Sequence, residues 1–163
     1  MKSLSLGIRI FALNLFASVL ILTGLFNYFG KIREANLKSN QSQKVADLVA
    51  TADIHFDEMT IAMRGFLLDP TLKSEWDNKL KADEASARTI KAAKAESFNP
   101  TVTSGIEEMA ALDEKMDALE NQFGELVKEG NLKEAGKFYF STYLPVRSKM
   151  DAIMDRIRQV TEA

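Results

Sequence analysis

Twenty consecutive residues from Ile10 to Phe29 carry no charge (IFALNLFASVLILTGLFNYF), and no other feature limits the fold as strongly. As a helix this run rises roughly 30 Å, the thickness of a hydrocarbon core. Lys2 and Arg9 precede it, and Lys31 and Arg33 follow it. The sequence therefore predicts a short flank over residues 1–9, one membrane-spanning helix over 10–29, and a polar domain over 30–163 on one side. A cleaved signal peptide is the competing reading. Signal peptides have a shorter apolar region and end in small residues, whereas this run ends in Gly24-Leu25-Phe26-Asn27-Tyr28-Phe29. Phe26, Tyr28 and Phe29 suit an interfacial aromatic belt. Asn27 falls near that interface, and Asn14 is placed to face a partner helix. Lys2, Arg9 and the amino terminus compete with Lys31, Arg33 and Lys38, so charge asymmetry does not choose an orientation.

About 130 residues beyond the apolar run suffice for one core. All 23 acidic residues but only 19 of the 21 Lys and Arg lie there, a balance near −4 (19 − 23). That excludes the basic stripe of a nucleic-acid binder. The absence of cysteine removes disulfides, thiolate metal sites and thiol nucleophiles.

Three breaks divide the domain: Asp69-Pro70, Asn99-Pro100 and Gly130-Asn131. Asp69 and Asn99 read as N-caps, each followed by proline at the first helical position. Gly130 suits the position just past a helix end. Asn131 with Glu134 imitates a capping box. No six-residue stretch alternates apolar and polar with β-branched residues, so strands are not expected. Helices are predicted over about 34–68, 70–97, 101–129 and 132–161.

Heptad rows support each helix. The first carries Val45, Ala52, Met59 and Phe66, with Leu48, His55 and Ala62 as a second row and Val49, Phe56 and Met63 beside them. The second has a thinner face of Leu72, Trp76, Leu80, Ala87, Ile90 and Ala93. In the third, Val102, Met109, Met116 and Phe123 alternate with Leu112, Leu119 and Leu126. In the fourth, Leu132, Tyr139, Val146, Ile153 and Val160 run beside Tyr143, Met150 and Ile157. A 3.5-residue repeat buries a narrow seam, and four such helices with short links predict an all-α, antiparallel up-down-up-down four-helix bundle continuous with the membrane helix. Both ends of the bundle then meet, with Ala163 near the bilayer. Pro145 interrupts the fourth helix, as a tolerated kink or as a bend that shapes a pocket or subunit contact.

The segment Met63-Arg64-Gly65-Phe66-Leu67-Leu68-Asp69-Pro70 resembles the R-x-[YF]-L-L-x-[DG] stretch at the first turn of the sensor bundles of bacterial methyl-accepting chemotaxis proteins. It is also similar to extracellular sensor modules of histidine kinases. Gly130-Asn131-Leu132-x-x-Ala135, followed by Tyr143-Leu144-Pro145, resembles that family's turn into its fourth helix. The likeness covers essentially the whole chain. It implies an inner-membrane protein with its amino terminus in the cytoplasm and its bundle in the periplasm, homodimeric along the first helix, receiving a small ligand or a periplasmic binding protein. Family members continue into a second membrane helix, a HAMP linker and a cytoplasmic coiled coil. The present sequence ends at Thr161-Glu162-Ala163, where that second membrane helix is expected.

Four residues are candidate ligand contacts: Arg64, Arg88, Tyr143 and Arg147. A planar guanidinium suits bidentate binding of an organic acid or amino acid, although Arg64 equally suits a structural role at its helix end. Trp76 and Tyr143 line either a pocket or the core, and Met59, Met63, Met109 and Met116 read first as packing residues. His55, the only histidine, is either a satisfied seam residue or a pH-responsive group. Only Glu58 among its acidic neighbours shares its face, and two ligands do not make a metal site. No metal or cofactor is expected. One histidine, no cysteine and no phosphate loop leave no catalytic constellation, so the chain is not expected to be an enzyme. The leading expectation is the sensory domain of a chemotaxis receptor. The alternatives are a ligand-independent interaction bundle, a truncated receptor product, or a kinase sensor module.

Overall fold

The computed structural model describes the backbone of residues 6–162 and the side chains of residue 11 and residues 14–162. The expectations for Lys2 and Ala163 lie outside the described residues, as do the side chains of Arg9 and Ile10. The chain is all-α, with no strand among the described residues. It falls into two units, Met1–Asn40 and Gln41–Ala163.

Among the described residues, helix α1 (Leu6–Leu68) is the only long apolar one. Part of it is long and apolar enough to cross a membrane, and the side chains of Phe11, Leu15, Phe16, Leu20, Leu22, Phe26 and Phe29 are all exposed.

The second unit holds the core. Along α1 Val45, Val49, Ala52, Phe56, Met59, Met63 and Phe66 are buried in a four-three alternation characteristic of knobs-into-holes packing, and Ala62 is buried beside them, as the second row predicted. Leu48 is half-buried and His55 sits at the edge, so the second row lies one position away from the Leu48–His55 reading.

Helix α2 (Lys73–Glu96) begins three residues later than the sequence suggested. Asp69 does not cap it. Its Oδ1 accepts from the Thr71 amide (3.0 Å) and hydroxyl (2.6 Å), closing an Asx turn around Pro70. Leu72 takes the cap position without a side-chain bond. The buried face is Lys79, Ala82, Ser86, Ile90 and Ala93, with Trp76 packed on the core. Leu72, Leu80 and Ala87 are exposed, contrary to the apolar reading of that face.

Helix α3 (Pro100–Lys128) starts as expected. Asn99 Oδ1 accepts from the Thr101 amide at 2.9 Å, with Pro100 at the first helical position. It ends in a Schellman motif: Gly130 at φ +78°, its amide bonded to Val127 O (3.0 Å) and the Asn131 amide to Leu126 O (2.9 Å). The capping box does not form, because Asn131 Nδ2 donates to Glu129 Oε2 instead.

The last stretch is not one α-helix. Helix α4 (Leu132–Phe138) passes through a π-helical segment (Tyr139–Tyr143) into α5 (Leu144–Glu162). The Leu144 amide bonds Tyr139 O, five residues back. Pro145 follows immediately, and the wider turn accommodates a ring that cannot donate and that clashes with an ordinary helical carbonyl. Two glycines of α3 admit close neighbours: a Cβ at Gly124 would lie 2.6 Å from Trp76, and one at Gly105 2.8 Å from Ile157.

Candidate functional site

The core of the second unit is apolar at both ends of its buried rows and charged between them. On α3 the buried positions Val102, Ile106, Met109, Asp113, Met116, Glu120, Phe123 and Val127 alternate four and three. Two of these core positions are acids. Lys79 of α2, 2% exposed, meets the second of them, its ammonium paired with Glu120 and 3.0 Å from Asp83 Oδ2. The Tyr143 hydroxyl donates to Glu120 Oε1 at 3.1 Å. Tyr143 stacks on Tyr139 with centroids 5.5 Å apart. The Tyr139 hydroxyl in turn accepts from Arg64 Nε at 2.8 Å. A continuous path Arg64–Tyr139–Tyr143–Glu120–Lys79–Asp83 thus crosses α1, the π segment, α3 and α2. The π segment places both tyrosines inward, while Phe140 between them is exposed.

Burial opposes the charge on Lys79, but Glu120 and Asp83 more than offset it, holding its pKa above the ordinary lysine value. Asp113 and Asp117 have no such partner. Burial and the charges of Asp117, Asp83 and Glu120 push Asp113 up to about 7. Burial and Asp83 push Asp117 up to about 6. Burial and the Glu120 charge raise Tyr143 far above its ordinary value, so it remains a neutral donor. Asp83, Asp117 and Glu120 each offer an oxygen within 4.8 Å of the others, an oxygen-only set of the kind hard cations take.

A second network surrounds Arg147. Its Nη2 donates to Asp53 (2.9 Å) and Asp57 (3.0 Å), its Nη1 pairs with Asp151, and its guanidinium lies 5.3 Å from the Phe56 ring centre. Arg158 joins through Asp53 at 2.6 Å and Asp155 at 3.0 Å. Burial works against the Asp53 charge, yet Arg158 and Arg147 outweigh it and hold the carboxyl below its ordinary range. These ties fasten α5 to α1.

The four candidate contacts do not converge on one pocket. Arg147 is buried with its guanidinium shared among three carboxylates of its own chain. Tyr143 is fully buried and bonded to Glu120. Arg64 is bonded to Tyr139 at the end of α1. Arg88 stands on a solvated face paired with Glu84, away from the rest. His55 is 23% exposed and 3.0 Å from Glu58, the i+3 partner its spacing indicated. Both line a shallow groove of about 420 Å³ between α1 and α2, walled also by Ile61, Glu75, Asn78 and Lys81.

Lys79, Asp113 and Glu120 were missed from the sequence. The signal was present: Asp113 and Glu120 occupy the gaps between Met109, Met116 and Phe123 at core spacing. No family model, curated protein or solved structure matches the chain.

Proposed function

We propose that this chain is the membrane-anchored sensory domain of a chemotaxis receptor, held by residues 10–29 in the bacterial inner membrane with its bundle in the periplasm. The observation that carries the reading is the charged path through the core. It joins α1, α2 and α3 of the second unit, and it links through Tyr139 and Tyr143 to the π segment that heads α5. Buried ion pairs contribute little net stability but fix one arrangement against another, and π turns recur at functional sites.

An up-down-up-down bundle suits this reading. Lys44 meets Glu96 at 2.6 Å, Phe66 meets Trp76, Lys94 meets Glu107, and Arg156 meets Glu108, as antiparallel neighbours require. Exposed Ile54, Ile61 and Leu68 recur every seven residues on α1, a seam on which a second copy can pack. Ligand binding displaces α5 against α1 by about 1–2 Å, as in other helix-shift switches. The ligand's differential affinity for the two positions sets the size of the signal.

The groove between α1 and α2 is the ligand site in this reading, and Lys81 supplies a cation there for a small organic acid or amino acid. The test is a melting-temperature screen of the full chain in detergent micelles against organic acids, amino acids and periplasmic extract. A component that raises the melting temperature supports direct sensing. No change across the whole screen leaves a ligand-independent interaction bundle as the better reading.

A further inference from the structure

The charged core holds four carboxylates, Asp83, Asp113, Asp117 and Glu120, against one ammonium, that of Lys79. Formal charge is therefore −3 in a region where Asp113 and Glu120 are buried and Asp83 and Asp117 half-buried, and uncompensated charge there is costly. Neutral groups adjoin it as well: Ser86 of α2, which donates to the Asp83 carbonyl, and Tyr143 of the π segment, with Thr60 of α1 beside Tyr143. Glu114, on α3, adds further negative potential at Asp117.

The ammonium satisfies only part of the cluster. Asp113 is 8% exposed, and its Oδ1 has no hydrogen-bond partner. It lies one turn before Asp117 on the same face of α3 and feels the charges of Asp117, Asp83 and Glu120. Asp117 Oδ1 is likewise buried and unpartnered. The oxygens of Asp83 on α2 and of Asp117 and Glu120 on α3 converge, with no histidine or cysteine among them. Ligands on opposite sides of a cation bound at about 2.4 Å lie about 4.8 Å apart, the span within which the oxygens of Asp83, Asp117 and Glu120 fall.

We propose that Asp83, Asp117 and Glu120 bind a hard divalent cation, Mg²⁺ or Ca²⁺, between α2 and α3, with Asp113 supplying the neighbouring negative charge. Lys79 is the built-in competitor, because its ammonium already holds Asp83 and Glu120. An entering ion draws those two oxygens away from it, and the ammonium already lies 5.8 Å from the Trp76 ring centre, a face that stabilises a cation. The inference stands without the sensory reading, since it concerns occupancy of the core alone.

The experiment uses the full chain in non-ionic micelles, stripped with chelator at pH 8, where the carboxylates ionise. Melting temperature is followed by circular dichroism with CaCl₂, MgCl₂, and NaCl at matched ionic strength. A rise of several degrees with a divalent salt, growing with the logarithm of its concentration and absent in NaCl, is expected. Lys79→Met should melt lower than the parent without divalent salt, and should recover more with it. Asp117→Asn should lose the response. Terbium luminescence gives a second reading, because Trp76, the chain's only tryptophan, lies beside Lys79 and can sensitise an ion bound there. The proposal is overturned if divalent salts match NaCl in both the parent and Lys79→Met. A response undiminished in Asp117→Asn, or a cluster that answers only to pH, overturns it equally.

Discussion

Replacing Asp113 by asparagine should make the protein more stable at pH 8 and remove much of its sensitivity to pH. Asp113 binds its proton more tightly when folded, near 7, than the ordinary 3.8 of an unfolded aspartate. Between those values the folded state holds a proton that the unfolded state lacks, so stability falls as pH rises. At about 1.4 kcal/mol for each tenfold change in proton concentration, the loss between pH 5 and pH 8 is about 3 kcal/mol, nearly all of it below pH 7. For a domain of this size that lowers the melting temperature by roughly 10 °C. Asp117, displaced in the same direction, adds to the loss below about pH 6. Asp53 is displaced the other way, and the stability it provides is lost only below its ordinary pKa of 3.8, outside this window. Asparagine keeps the shape of the side chain and can donate to the neighbouring carboxylates without titrating. The assay is thermal unfolding of the full chain in micelles with chelator at pH 5, 6, 7 and 8. A parent protein equally stable or more stable at pH 8, or an Asp113→Asn variant that keeps the full loss, refutes the reasoning.

Three other substitutions test the packing. Gly124→Ala forces a methyl against the Trp76 ring at 2.6 Å and should destabilise by about 1–3 kcal/mol in chemical denaturation. Gly130→Ala places a side chain at φ +78° in the Schellman turn and should cost about 1 kcal/mol, although nothing lies within 4 Å of the new carbon. Ile61→Glu on the exposed row of α1 should leave the melting temperature of the monomer nearly unchanged while weakening self-association in sedimentation equilibrium.

What was legible in the sequence and what was not divides along physical lines. The α1, α3 and α5 seams are dense in Val, Ile, Met, Phe and Tyr, so their apolar period survives in the text. Asn99-Pro100 and Gly130 act through their own backbone neighbours and were readable for that reason. Helix α2 was read rightly at Trp76, Ile90 and Ala93, but one position off at Leu80 and Ala87. Its core positions include Lys79 and Ser86, while Leu72, Leu80 and Ala87 face solvent. Lys79 is buried only because Glu120, 41 residues later in the sequence, meets it. A hydropathy period cannot register a partner at that distance. Asp69 was misread because an Asx turn and an N-cap use the same residue type, and only the path of the chain through Pro70-Thr71-Leu72 separates them. Pro145 announced a disturbance, but not that a π turn upstream would absorb it. Arg147 was singled out correctly as unusual, yet the carboxylates that occupy it lie on α1 as well as on its own helix.

The central claim is that α5 moves against α1 when the domain receives its signal. The chain has no cysteine, so nitroxides can be placed uniquely at Ala50→Cys on α1 and Lys149→Cys on α5, both exposed positions. Double electron–electron resonance between them should show the distance distribution shifting by about 1–2 Å when the component that raises the melting temperature is added. Distributions that superimpose with and without that component, at concentrations that saturate the thermal response, would contradict the account.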